Sequence, residues 1–245
     1  MKCLFTYLRC TYCYPIQTKI KCQNDTFSYS SCCKGCGFKF SSFDELQVAI
    51  RSFEIDSIKA NMTYGLMNCW DTSKISDMSF LFSHDANDAT YNKINEPIQC
   101  WNVSKVTKMK GMFNGAMMFD QPLNTWDVSS VTDMSYMFSN ATSFNQPLDR
   151  WLTREVTSTA AMFQGAERFN QHLDSWDVSS VQNMNRMFYH AKHFQKDLCS
   201  WYNLSFQQTP VVNVMFYDTS CSNESDPDFE SKISFCANCL NQVSF

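Results

Sequence analysis

Tryptophan falls on a clock in this chain. The six Trp stand at positions 70, 101, 126, 151, 176 and 201, so the last four intervals are 25 residues each and the first is 31. Between one Trp and the next, the same side chains return at the same offsets. The cleanest unit, 126–150, reads WDVSSVTDMSYMFSNATSFNQPLDR. A fixed period of this length means that successive units stack, each burying the apolar face of its neighbour, so 245 residues need not imply one round core.

The offsets say what the stack is made of. Five residues after each Trp comes Val106, Val131, Val156 or Val181. Eight after it stands Met109, Met134, Thr159 or Met184. A Met-Phe pair follows at 112–113, 137–138, 162–163 and 187–188. Then come Ala (116, 141, 166, 191), Phe (119, 144, 169, 194) and Leu (123, 148, 173, 198). These ranks are expected to line the inside as ladders of rings and thioethers, with Met tolerating imperfect stacking. Within a unit, 130–134 and 144–148 read as short extended pieces and 134–139 as one helical turn. Asn145 and Asn170, with Asp120 at the equivalent place, are expected to form a polar ladder that bonds backbone groups at a bend. Asp127 and Asp177, each just after a Trp, read as turn caps rather than acid–base groups. The Thr rank at 107, 132 and 157 is broken by Gln182, and no second Thr rank runs beside it, which weakens an ice-binding reading.

Four segments follow from this pattern: a Cys-rich stretch 1–40, a helix and connector 41–63, the repeats 64–218 and a C-terminal cap 219–245. In the second, Ser42-Phe43-Asp44-Glu45 is a capping box. Phe43, Leu46, Ala49, Ile50 and Phe53 then share one helical face, predicting a helix over about 43–53 that closes the open end of the first unit. Residues 54–69 read as a connector. The first unit carries an Asn/Asp-rich insertion, His84–Lys93, expected as a surface loop. The sixth is irregular, with Met215-Phe216 three residues late.

Ten of the thirteen cysteines cluster at the ends, and Cys69, Cys100 and Cys199 lie beside repeat Trp residues. Cys10-x2-Cys13 and Cys33-x2-Cys36 have the spacing of a four-thiolate zinc site, which would be one closed, structural zinc. A disulfide-rich cap is the alternative, since Cys3, Cys22 and Cys32 are surplus to one zinc. At the other end, Cys221, Cys236 and Cys239 are expected within the cap, either as metal ligands or as a disulfide.

Net charge is -4 with no basic patch, so nucleic acid is not expected as a partner. The start, Met1–Arg9, makes a poor signal peptide and no run reaches a membrane span, so an intracellular place is read slightly ahead of the surface. There is no phosphate-binding glycine loop and no H-E-x-x-H. His190-x2-His193 is the nearest thing to a metal pair and reads as two solvent-facing side chains. Catalytic residues: none are expected.

The unit resembles the BspA-like leucine-rich repeat, of the form MF-x-x-A-x-x-FNQPL-x-x-W-x-V-S-x-VT-x-M, over about residues 64–218, with FNQPL intact at 144–148. The resemblance implies a leucine-rich-repeat-like solenoid of short β-strands and single helical turns, with a capping helix at its N-terminal end. It also implies a non-enzymatic surface module for protein binding or adhesion. The alternative keeps the repeats as a scaffold for an N-terminal zinc-ribbon-like module with a nucleic-acid-binding or enzymatic role.

Overall fold

The structure, a computed structural model, describes residues 37–83, 94–229 and Cys236. The insertion His84–Lys93 and the expected zinc ligands Cys10, Cys13, Cys33 and Cys36 lie outside the described residues.

Two helices open the described chain: α1, Phe43–Ile55, and α2, Ser57–Tyr64. Ser42 Oγ accepts from the Glu45 amide at 3.2 Å, as a capping box requires. The return contact lands one residue further out, where Glu45 accepts from the Ser41 amide and hydroxyl, both at 2.8 Å. Leu46, Ala49, Ile50 and Phe53 are buried on one face of α1 and join the common apolar core. Helix α2 occupies what reads as connector in the sequence. It has no apolar stripe to announce it: only Ala60 is buried, while Ile58 and Met62 face solvent. Its signals are local ones. Asp56 caps the Lys59 amide at 3.0 Å, and Gly65 ends the helix at φ 73°, where a residue without Cβ is at ease.

From Trp70 the six Trp-started units, numbered 1 to 6, lie in parallel register. Isolated parallel bridges run Asp77–Lys108–Asp133–Ser158–Asn183–Val211, one step per unit. Among the described residues these bridges are not extended into strands, and the reason is visible in the amides of 134–141. Met134, Tyr136, Phe138 and Asn140 donate to the carbonyls of Ser158, Ala160, Met162 and Gln164 in the next unit. Met137, Ser139 and Ala141 donate back three residues, to Met134, Tyr136 and Phe138, and Ser135 donates to Asp133 Oδ1. Every amide in the segment is therefore paired, as a buried backbone demands. A strand would send its amides to neighbours on both sides, and a helix would send all of them back along its own axis. This ribbon alternates the two, so the expected helical turn at 134–139 appears as consecutive turns instead.

The alternation has a conformational cost. Where the chain reverses, it passes through the left-handed region at Phe80, Tyr136, Ala161, Arg186 and Val214, and again at Asn140 and His190. Glycine takes the same places in other units, Gly111 at φ 58° and Gly115 and Gly165 at 74° and 66°. At Gly111 a Cβ would meet the Phe80 ring at 2.4 Å, so the ring of unit 1 lies over the bare backbone of unit 2.

Inside, the ladders stand as the offsets imply. Phe82, Phe113, Phe138, Phe163, Phe188 and Phe216 form one column, with centroids 5.3–5.7 Å apart and planes within 9° of parallel. Phe119, Phe144, Phe169 and Phe194 form a second at 6.1 Å spacing. Within a unit the columns touch, as in Phe163 and Phe169 at 3.9 Å. The six Trp are buried, and the indole N–H of each of the last three donates to a leucine carbonyl 28 residues earlier, near the end of the unit two before its own: Trp151 to Leu123, Trp176 to Leu148 and Trp201 to Leu173, at 2.9–3.0 Å. A buried indole thus keeps its polar edge satisfied.

The polar ladder is equally regular. Asn95 Oδ1 accepts from the Asp120 amide, Asp120 Oδ1 from Asn145, Asn145 Oδ1 from Asn170 and Asn170 Oδ1 from Gln195, at 2.9–3.2 Å. Gln121, Gln146 and Gln171 add side-chain amides to the same oxygens, a partnership the sequence reading did not anticipate.

Both ends are closed. At the start, the Phe40 amide donates to the Asp71 carbonyl and the Asp71 amide to the Phe38 carbonyl, and Phe38, Phe40, Tyr64 and Trp70 pack ring to ring. At the finish, unit 6 has no successor to accept its amides. The Asp226 carboxylate takes that role, accepting from Val214 at 2.9 Å and Met215 at 2.7 Å. A Cys221–Cys236 disulfide holds the closing segment, and Phe229 meets Phe206 edge to face. An exposed row of donors would invite pairing with another chain, and this cap removes it.

Candidate interaction surface

Inward positions repeat and outward positions do not. Lys105 and Lys108 stand exposed on unit 2, Arg150 at the end of unit 3, and Arg154 and Arg168 on unit 4. The acids after Trp are turn caps: Asp127 accepts from the Ser129 amide and hydroxyl, and Asp177 does the same with Ser179. Asn102 substitutes for Asp with Ser104. The Ser179 hydroxyl, reinforced by its amide and by Arg154, holds the Asp177 carboxyl below the ordinary aspartate range. Asp71 is lowered in the same way by Ser73, with Lys39 and Lys74 adding to the effect. The Thr rank is structural as well: Thr132 Oγ1 donates to Thr107 O and Thr157 Oγ1 to Thr132 O, which accounts for Thr at these positions without an external ligand.

His190 and His193 do not form a metal pair. His190 Nδ1 lies 2.6 Å from Asp218 Oδ2, and His193 Nδ1 lies 2.7 Å from the Glu167 carbonyl. No cluster of three metal-ligating side chains occurs among the described residues. What His190 does mark is a groove of ≈ 350 Å³ crossing units 3 to 6, lined by Asn140, Thr142, Gln164, Gly165, Glu167, His190, Lys192 and Asp218. Lys192 Nζ sits 2.6 Å from Glu167 Oε1, and that hydrogen bond raises the lysine above its ordinary pKa. Tyr189 and Tyr217 stack beside the groove at 5.2 Å, with Arg186 over Tyr189. The sequence hides this site because its residues come from the left-handed turn and the positions beside it, one to three per unit, with equivalent places 25 or more residues apart.

Cys221 pairs with Cys236, and Cys100 and Cys199 are also disulfide-bonded. Among the described residues no helix is long and apolar enough to cross a membrane.

No curated protein and no solved structure matches the chain. Residues 45–164 and 145–230 match the family described as Mycoplasma protein of unknown function, DUF285. Together the two matches run through α1, α2, all six units and the Asp226 cap, and the chain belongs to that family.

Proposed function

We propose that this chain is a non-enzymatic interaction module, a BspA-like, leucine-rich-repeat-like solenoid that presents its outward side chains to a protein partner in adhesion or surface display. The observation that carries the reading is the division of labour along the repeat. The ring columns and the Asn ladder stay constant from unit to unit, whereas the place of exposed Lys105 holds Ser130, Glu155 and Ser180 in the following units and that of Lys108 holds Asp133, Ser158 and Asn183. A fold needs only the constant ranks, so the variable ones are where selection for a partner acts.

The disulfide-bonded Cys100, Cys199, Cys221 and Cys236 support work in an oxidising compartment, because such bonds persist there and are rare in reducing cytosol. The same bonds favour a setting at or beyond the cell surface over an intracellular one.

The test is a purified-protein array probed with the full chain, followed by Lys105→Ser with Lys108→Ser, and separately Arg154→Ser with Arg168→Ser. A specific partner whose binding weakens at least tenfold in one pair, at unchanged melting temperature, supports the reading. Absence of any protein ligand together with demonstrated catalytic turnover overturns it.

A further inference from the structure

We propose that the groove crossing units 3 to 6 is a glycan-binding site for a short uncharged oligosaccharide. The proposal goes beyond the protein-partner reading and shares with it only the absence of catalysis.

The lining selects the class of ligand. Its eight residues are polar or glycine, so there is no apolar pocket for a peptide side chain. Its titratable side chains are already paired across units: Glu167 with Lys192 at 2.6 Å, and Asp218 with His190 Nδ1 at 2.6 Å. These pairs leave no cationic surplus to gather a phosphate or a carboxylate, since two carboxylates face one lysine. They also fix the side chains in place, which lowers the entropy lost on binding. The lining carries directional polar groups: the Gln164 amide, the carboxylates of Glu167 and Asp218, and Asn140 and Thr142, whose donors bond Ser139 Oγ and the Met117 carbonyl and whose oxygens can still accept. Such groups suit ligand hydroxyls that both donate and accept.

Shape and rim agree. Gly165 stands between Asn140 and His190 in the same rank, and a Cβ there would come within 2.4 Å of Asn140 Oδ1. The Asn140 side chain therefore lies directly against the bare Gly165 backbone, which holds it in place at the groove. Tyr217, next in sequence to Asp218, is 52% exposed and braced by its stack on Tyr189. A fixed, exposed ring beside a polar groove offers a face to the C–H side of a pyranose, while the groove serves its hydroxyls. The volume of ≈ 350 Å³ is of ligand-pocket size.

The experiment is titration calorimetry of the full chain with cellotriose, maltotriose and tri-N-acetylchitotriose, repeated on Gln164→Ala and Tyr217→Ala. The expected result is saturable binding of at least one trisaccharide, weakened tenfold or more in either variant with melting temperature unchanged. No binding of any of the three at millimolar concentration, or affinity in both variants unchanged from that of the unsubstituted chain, would overturn the proposal. A chain that keeps a protein partner but ignores all three sugars overturns this site alone and leaves the interaction reading standing.

Discussion

Trp151 donates its indole N–H to the carbonyl of Leu123, 28 residues earlier, at 3.0 Å. The bond ties unit 4 to the end of unit 2 from inside the core, while the Trp151 ring stacks on Trp176 of unit 5 at 6.1 Å. One side chain thus serves three units. Trp151→Ala is expected to cost about 3–5 kcal/mol, the range for removing a large buried aromatic. Because neighbours share the lost interface, thermal unfolding should shift as a whole. A melting temperature lowered by less than a degree or two would mean that the ring carries little of the stack.

Asp226 takes the place of a seventh unit by accepting the amides of Val214 and Met215. Asp226→Ala leaves both donors without a partner, at about 1–3 kcal/mol for each one that stays buried. Amide exchange at 214 and 215 should accelerate far more than at Phe138 or Phe163. Unchanged exchange at the two amides would show that another group closes the end.

Thr159 occupies the rank held elsewhere by methionine, and its hydroxyl is buried with no hydrogen-bond partner. Thr159→Val keeps the shape and removes the stranded oxygen, so it should stabilise the chain by about 1 kcal/mol. Urea unfolding checks this, and a lower midpoint in the variant would mean the hydroxyl is satisfied in solution.

Asp177 and Asp71 have carboxyls held below the ordinary range by the serines they cap. A lowered folded-state value means the unfolded chain binds the proton more readily. The stability these carboxylates lend is therefore present above the unfolded value, about 3.9, and lost as pH falls from there through the folded value. Asn102 does the same capping without titrating. Asp177→Asn should leave the melting temperature near pH 7 almost unchanged and flatten its fall between pH 5 and 3, read by calorimetry at each pH.

Much of this architecture is legible from period alone. Identical side chains at identical offsets have to meet when units stack, which is why the Phe columns, the buried Trp and the Asn95–Asn170 ladder follow from the sequence. Helix α2 was not legible, because period reports burial and only Ala60 of that helix is buried. The turn ribbon at 134–141 escaped for another reason. Its rank of left-handed residues includes Phe80, Tyr136, Arg186 and Val214, types that propensity places elsewhere, and tertiary hydrogen bonds override that preference. The groove escaped because its lining is assembled across units from positions that vary.

Register between units is the claim on which the rest depends, and disulfide trapping measures it most directly. Thr132 and Thr157 are exposed and adjacent across units 3 and 4, with the Thr157 amide 2.8 Å from the Thr132 carbonyl. Neighbouring chains at about 5 Å allow a disulfide without backbone movement. Oxidation of Thr132→Cys/Thr157→Cys, followed by peptide mapping, should give a bond between the two introduced thiols in most molecules. The Thr132→Cys/Gln182→Cys control, two units apart, should give none. Equal trapping in both pairs, or none in the first, would contradict a stack of 25-residue units in parallel register.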